Sequence, residues 1–278
     1  MTLPLAMNGR LSESLMLSYR TPARSVRHLV PRGLELETRG GYAFWNVLAC
    51  RVEAVRPAGV PRRLGVTFND VAYRLHVRAK TAAGETLRGL YFVRSDADSG
   101  LVARFGNALT AFRFSAADVE LSRARVDGSD VLTLAVMGRR EADEAADALV
   151  RVATGGRAGS GPAALSDGSP FTSPAEVAVF LKYRPLGLSV DLDGRYLEMT
   201  EVVRDEAAWR ERPVSVIEAH WKFLDGLGQD ELRVERATRV DAIDYRWRLG
   251  RRALLAPAVT TTPAPTQRRP APAVRAAA

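Results

Sequence analysis

The chain has 278 residues, 46% hydrophobic and 26% charged, a globular composition with room for one large domain or two small ones. Its formal charge of +8 sits mostly at one end: after Gly250 come five arginines and no acid, leaving 8 − 5 = +3 on the first 250 residues. Of 40 basic residues only Lys80, Lys182 and Lys222 are lysine, an arginine bias of composition rather than a clustered basic face, so no nucleic-acid partner is expected.

In chain order, Leu15 to Tyr19 reads as a short strand. Thr21 is placed to cap a helix with Pro22 at its first position, running to Val30 before Pro31 stops it. Leu34 to Arg39 and Tyr42 to Val52 flank Gly40-Gly41, a hairpin signature. Val66 to Lys80 predicts a long strand and Leu87 to Arg94 another, followed by a helix over Ala97 to Leu109. Val119 to Val126 and Val131 to Met137 flank Asp127-Gly128, a second hairpin. Residues 155–170 hold five glycines in sixteen positions and read as a flexible loop. Ser173 to Tyr183 opens with Ser-Pro-Ala-Glu, a capped helix. Leu188 to Leu192 and Arg195 to Val202 flank Asp193-Gly194, a third hairpin, and Leu232 to Leu249 gives one or two last strands. Residues 256–278, rich in Pro, Ala and Arg, have no apolar period and are expected to be a disordered tail behind one domain of residues 1–255. Hairpin-linked strands with a few short helices predict an α+β fold around an antiparallel or mixed sheet that curls or closes.

Several chemistries are excluded. The single Cys50 permits no intramolecular disulfide or cysteine metal cluster, and no two of His28, His76 and His220 share a helical turn, so no metal is expected. No apolar run reaches about 18 residues and the first seventeen residues are broken by polar ones, which predicts no membrane span, no signal peptide and a cytoplasmic protein. No phosphate- or dinucleotide-binding glycine fingerprint appears, no cofactor is expected, and there is no Gly-x-Ser-x-Gly elbow.

The strand 66–80 carries the most information. Asp70, Ala72, Arg74, His76 and Arg78 alternate with Val71, Tyr73, Leu75, Val77 and Ala79, so one face is polar and the other apolar. Two placements are open: a solvated outer face, or the inside of a curled sheet, where Asp70, Arg74 and His76 line a pocket for a small polar ligand. Arginine suits a carboxylate there because its fork donates two parallel hydrogen bonds. Arg94 alternates in phase with Leu90 and Phe92, and a charge on an apolar face calls for a partner or a ligand. Ser95, Asp96 or Asp98 is placed to cap the following helix. His220 and Lys222 offer a weaker base-and-cation pair.

Tyr19-Arg20-Thr21 with Val26-Arg27-His28-Leu29-Val30-Pro31-Arg32-Gly33-Leu34 resembles the opening of the acetoacetate decarboxylase superfamily. Leu90-Tyr91-Phe92-Val93-Arg94-Ser95-Asp96-Ala97 more closely resembles its YqjF-like (DUF2071-type) branch, a bacterial family of unknown function. The resemblance spans about residues 12–250 and implies a closed or conical β-barrel with flanking helices. It also implies what is missing. The decarboxylases condense a lysine amine with a keto acid; the matching stretch here, Arg104 to Thr110 with Asn107 inside it, holds no lysine. The family's acid matches Asn46 or a neighbour, its early arginine falls near Ser12, and a carboxylate near Asp70 stands where the family has glutamate. The expectation is a protein that binds a small organic or lipid-like acid through Asp70, Arg74, His76, Arg94 and Asn107, with homo-oligomerisation left open. The alternatives are an enzyme using Asp70 or His76 as acid–base, and a non-catalytic structural or partner-binding barrel.

Overall fold

The computed structural model describes residues 6–139, 145–154, 165–228 and 231–257. Among the described residues fourteen strands dominate: β1 Ala6–Pro22, β2 Glu35–Leu36, β3 Tyr42–Pro57, β4 Val66–Lys80, β5 Thr86–Ala97, β6 Phe114–Val126, β7 Ser129–Gly138, β8 Ala148–Ala153, β9 Leu186–Val190, β10 Tyr196–Arg204, β11 Glu211–Pro213, β12 Ser215–Trp221, β13 Arg233–Val240 and β14 Ile243–Leu254. Four short α-helices join them: α1 Ala23–Val26, α2 Gly100–Leu109, α3 Pro174–Phe180 and α4 Lys222–Gly226. None is long and apolar enough to cross a membrane.

Strand pairing returns on itself. β1 pairs with β3, β3 with β4, β4 with β5, β5 with β9, β9 with β10, β10 with β14, and β14 again with β1. The contact between β5 and β9 is parallel and rests on the single pair Leu90–Gly187; the other six are antiparallel. On the edge away from β3, β1 serves two partners along its length: Ala6 to Leu11 faces β14, and Leu15 to Arg20 faces β13. A second sheet, β6-β7-β8-β12, leaves the ring where β6 runs parallel to the end of β5.

Alternation then decides what lies where. Leu15, Leu17, Trp45, Val47, Val71, Tyr73, Leu75 and Val77 point outward from the ring and pack against Leu132, Leu134, Val136, Val150, Val152 and Trp221 of the second sheet. At about 1.5–3 kcal/mol for each fully buried large apolar side chain, this layer is the main source of cohesion. Trp221 is fixed in it by donating its indole N–H to the Tyr19 hydroxyl at 2.6 Å. The opposite faces point inward, where Met16, Leu48, Cys50, Val52, Phe68 and Tyr245 form a smaller cluster.

The Asp127-Gly128 and Asp193-Gly194 hairpins are present as read, with φ of 50° and 79° at the two residues of the first turn. Ser173 caps α3 by accepting from the Glu176 N–H. Three local expectations are corrected. Thr21 caps nothing: the strand continues through Pro22, and the helix shrinks to one α turn plus a 3₁₀ turn, because the β3 ladder holds the backbone extended to Pro22. Gly40-Gly41 does make a turn, closed by the Arg39–Tyr42 bridge, but β2 before it pairs with β4 rather than β3. The cap of α2 is Ser99, since Ser95, Asp96 and Asp98 are occupied elsewhere. Of the loop 155–170, residues 165–170 are described and the rest lie outside the described residues, as does the tail from residue 258.

Candidate functional site

All seven ring strands contribute side chains to one interior cavity of about 50 Å³. By the measure in which one water needs about 10–15 Å³, it has room for roughly three to five water-sized groups. The polar face of β4 is the inner one: Asp70, Ala72 and Arg74 line the cavity, with Asp70 9% and Arg74 1% exposed. The second of the two placements open at the sequence level is therefore the one the fold adopts for these residues.

Arg74 is held by amide and aromatic groups. It donates to the side-chain and backbone oxygens of Asn46, its cross-strand neighbour on β3, and its guanidinium lies 5.5 Å from the Phe92 ring centre and 5.1 Å from that of Tyr183. Burial lowers its proton affinity, opposed by Tyr183, Cys50 and Asp70, yet a guanidinium stays protonated. Asp70 faces Cys50 across the β3–β4 pair, and its Oδ1 has no protein hydrogen-bond partner. Burial pushes its carboxyl up to about 8; Arg74 pulls it down, while Asp96 and Asp98 push it further up. The same burial raises the Cys50 thiol and the Tyr245 phenol, whose hydroxyl also lacks a protein partner. Near neutral pH the cavity thus carries the positive charge of Arg74, faced by groups that are mostly protonated and neutral.

The other predicted residues are placed differently. His76 is fully buried on the same face but does not line the cavity; both ring nitrogens lack partners, and burial, with Arg184 and Arg74, drives its pKa down to about 3. Arg94 is a correction. A β-bulge sets Tyr73 opposite Arg94 but Arg74 opposite Phe92, so Val93 is the extra residue and the alternation reverses there. Arg94 consequently leaves the face of Leu90 and Phe92, pairs with buried Asp96 at 2.8 Å, and lies over the Phe223 ring in the outer layer. Asn107 is exposed on α2 and bridges the backbone of Phe114, away from the cavity. His220 is on the surface, and Lys222 pairs with Asp147 at 3.6 Å. None of the three lysines lines the cavity: Lys80 is exposed, as is Lys182, which pairs with Glu206 at 3.5 Å.

Tyr183, Arg184 and Tyr245 line the cavity without having been singled out in the sequence. Tyr245 alternates with Ile243 and Trp247 in a row that reads as ordinary core, and Tyr183 lies in the turn after α3, where no local pattern marks it. Arg184 reaches Glu37 at 3.4 Å, and Glu37 reaches Arg88 at 3.2 Å. A second buried ion pair, Arg20 with Glu235, ties the described segment before α3 to β1 and β13: Arg20 also donates to the Ser166 hydroxyl and Ser169 to Glu235.

Comparison with solved structures places the fold. Acetoacetate decarboxylase from Legionella pneumophila is similar with a TM-score of 0.53 at 15% identity, over 89% of this chain and 87% of that one. An acetoacetate decarboxylase-like enzyme from Sphingomonas wittichii RW1 is similar with a TM-score of 0.52 at 13% identity, over 92% and 94%. The enduracididine biosynthesis enzyme MppR, complexed with the condensation product of pyruvate and imidazole 4-carboxaldehyde, gives 0.51 at 15%, over 92% and 90%. Identities this low speak for a shared fold only. No curated protein matches the sequence. The family model DUF2071, described as an uncharacterized conserved protein, matches residues 9–170, more than half of the chain. The cavity with Asp70 and Arg74 at its wall therefore lies in a sheet-dominated α+β protein of acetoacetate decarboxylase-like fold that belongs to the DUF2071 family.

Proposed function

We propose that this protein binds a small organic acid inside the ring of strands, which we read as a barrel within a single domain of residues 1–255, with Arg74 receiving the carboxylate. The observation that carries the reading is a buried guanidinium on a cavity wall whose hydrogen-bond partners are neutral, on the same strand face as a carboxyl that burial keeps mostly protonated. A buried charge calls for an opposite one, and a carboxylate fits the planar fork of arginine. The size of the cavity favours acids of a few carbons over lipid-like ones, whose pockets run to about 300 Å³ or more.

Calorimetry and thermal shift with acids of two to four carbons test the proposal. Saturable binding to the native protein is expected, with stabilisation of about 2.7 kcal/mol at a hundred times Kd. Arg74→Met, verified as folded by circular dichroism, should lose it. Absence of binding to the native protein, or equal binding by Arg74→Met, would sink the idea.

A second reading, proton transfer to or from the same acid by Asp70, is favoured by a carboxyl that titrates near neutral pH beside the cavity. His76 is poorly suited to that role, being neutral and away from the cavity wall. Asp70→Asn should then abolish turnover while leaving acid binding in place. Schiff-base chemistry is not part of either reading, because the three amines are on the outside.

A further inference from the structure

We infer that the Asp70 end of the cavity is a separate polar subsite that takes an uncharged oxygen of the ligand, a hydroxyl, and so selects hydroxy acids over plain alkanoates and over dicarboxylates. The inference rests on the reading that Arg74 holds the carboxylate.

Asp70 and Arg74 share one face of β4 with Ala72 between them, and all three line the cavity. A strand advances about 3.3 Å per residue, so their Cα atoms stand roughly 13 Å apart, and the methyl of Ala72 leaves the space between them open. The two ends differ in hydrogen bonding. At the Arg74 end the guanidinium is met by Asn46. At the other end, Asp70 Oδ1 and the Tyr245 hydroxyl have no protein partner, although the two residues are only 9% and 6% exposed. Buried polar atoms are seldom left unmet, and two on residues that line one cavity mark where polar ligand atoms complete the set.

The chemistry of the missing atom follows from its surroundings. Asp70 as a carboxylic acid and Tyr245 as a phenol each offer an O–H and an acceptor lone pair, so a hydroxyl can donate to or accept from either. A methyl group would leave both unmet and dry. A second carboxylate would stand beside Asp70 and Cys50, with Asp96 and Asp98 behind them, and Arg74 already engaged at the far end. Burial disfavours negative charge at this spot, as the raised Asp70 and Tyr245 values reflect.

The test is a matched series by calorimetry: propionate, 3-hydroxypropionate and malonate, then butyrate, the hydroxybutyrates and succinate. On the native protein the hydroxy acid of each set should bind roughly tenfold or more tighter than the alkanoate, and the dicarboxylate more weakly than either. Tyr245→Phe should lower the ratio of hydroxy-acid to alkanoate affinity several-fold. Asp70→Leu, which removes the other polar atom, should do the same and serves as the second variant should Tyr245→Phe misfold. Alkanoates and hydroxy acids binding equally, or an undiminished preference in both variants, overturns this inference and leaves the Arg74 reading standing. No binding by any acid overturns both.

Discussion

Burial moves two side chains of one strand face in opposite directions. Asp70 is raised from 3.8 to about 8, and His76 is lowered from 6.5 to about 3. For Asp70 the folded pKa is above the unfolded one, so its contribution is whole below about 3.8 and is lost as pH rises through about 8. For His76 the folded pKa is the lower, so its contribution is whole above about 6.5 and is lost as pH falls through about 3. Between 6.5 and 8 the last protons leave His76 in the unfolded state, a small gain of about 0.4 kcal/mol, and the larger Asp70 loss dominates. Stability should therefore fall by about 1 kcal/mol across that window, from a limiting slope of about 1.36 kcal/mol per pH unit, and Asp70→Asn should abolish the fall; urea titrations at pH 6.5 and 8 measure both. An undiminished slope in Asp70→Asn would mean that another group is responsible. At this scale the sequence was informative wherever strict alternation held: the faces of β4 follow from counting by twos. It failed at Arg94, because one inserted residue in β5 reverses the count and nothing in Phe92-Val93-Arg94 announces it.

Elements meet most tightly where side chains are absent. At the junction of β5 and β9, a Cβ on Gly89 would lie 2.4 Å from the Leu186 carbonyl oxygen and 2.8 Å from Leu188 Cγ, while one on Gly187 would meet the Phe92 and Phe112 rings at 3.3 and 3.4 Å. Gly89→Ala must therefore push backbone apart and should cost about 1–3 kcal/mol, whereas Gly187→Ala meets only ring edges and should cost less. Thermal denaturation of the two variants checks the order. Ser173→Ala, which removes the α3 cap, should cost about 1 kcal/mol by the same measurement. Turns with a local code were legible: Asp127-Gly128, Asp193-Gly194 and Ser-Pro-Ala-Glu each fix their own few residues. Pairing between distant segments was not, which is why β2 turns to β4 and why β8 and β12 went unnoticed in segments with no turn signal of their own.

At the scale of the whole molecule, one layer of apolar side chains joins ring and outer sheet, and the cavity with its few polar groups is enclosed behind it. All three amines of lysine side chains are on the outside, at Lys80, Lys182 and Lys222, so a keto acid added with borohydride should leave no covalent adduct inside the protein. Intact-mass spectrometry reads this directly; a single adduct mapped to a cavity-facing lysine would contradict the fold as described. The broad resemblance that made the architecture legible, from Tyr19-Arg20-Thr21 to Leu90–Ala97, did so through residues that shape turns and strands rather than through residues that react. Finally, the loop of pairings is uneven in strength. Fourteen residues of β1, between Met7 and Pro22, find partners on β3, but β5 and β9 share one pair. A closed chain under thermal agitation parts at its thinnest link, so the amides near Leu90 and Gly187 should swap hydrogen for deuterium well before those of β1, and solutes should come and go through that same slit.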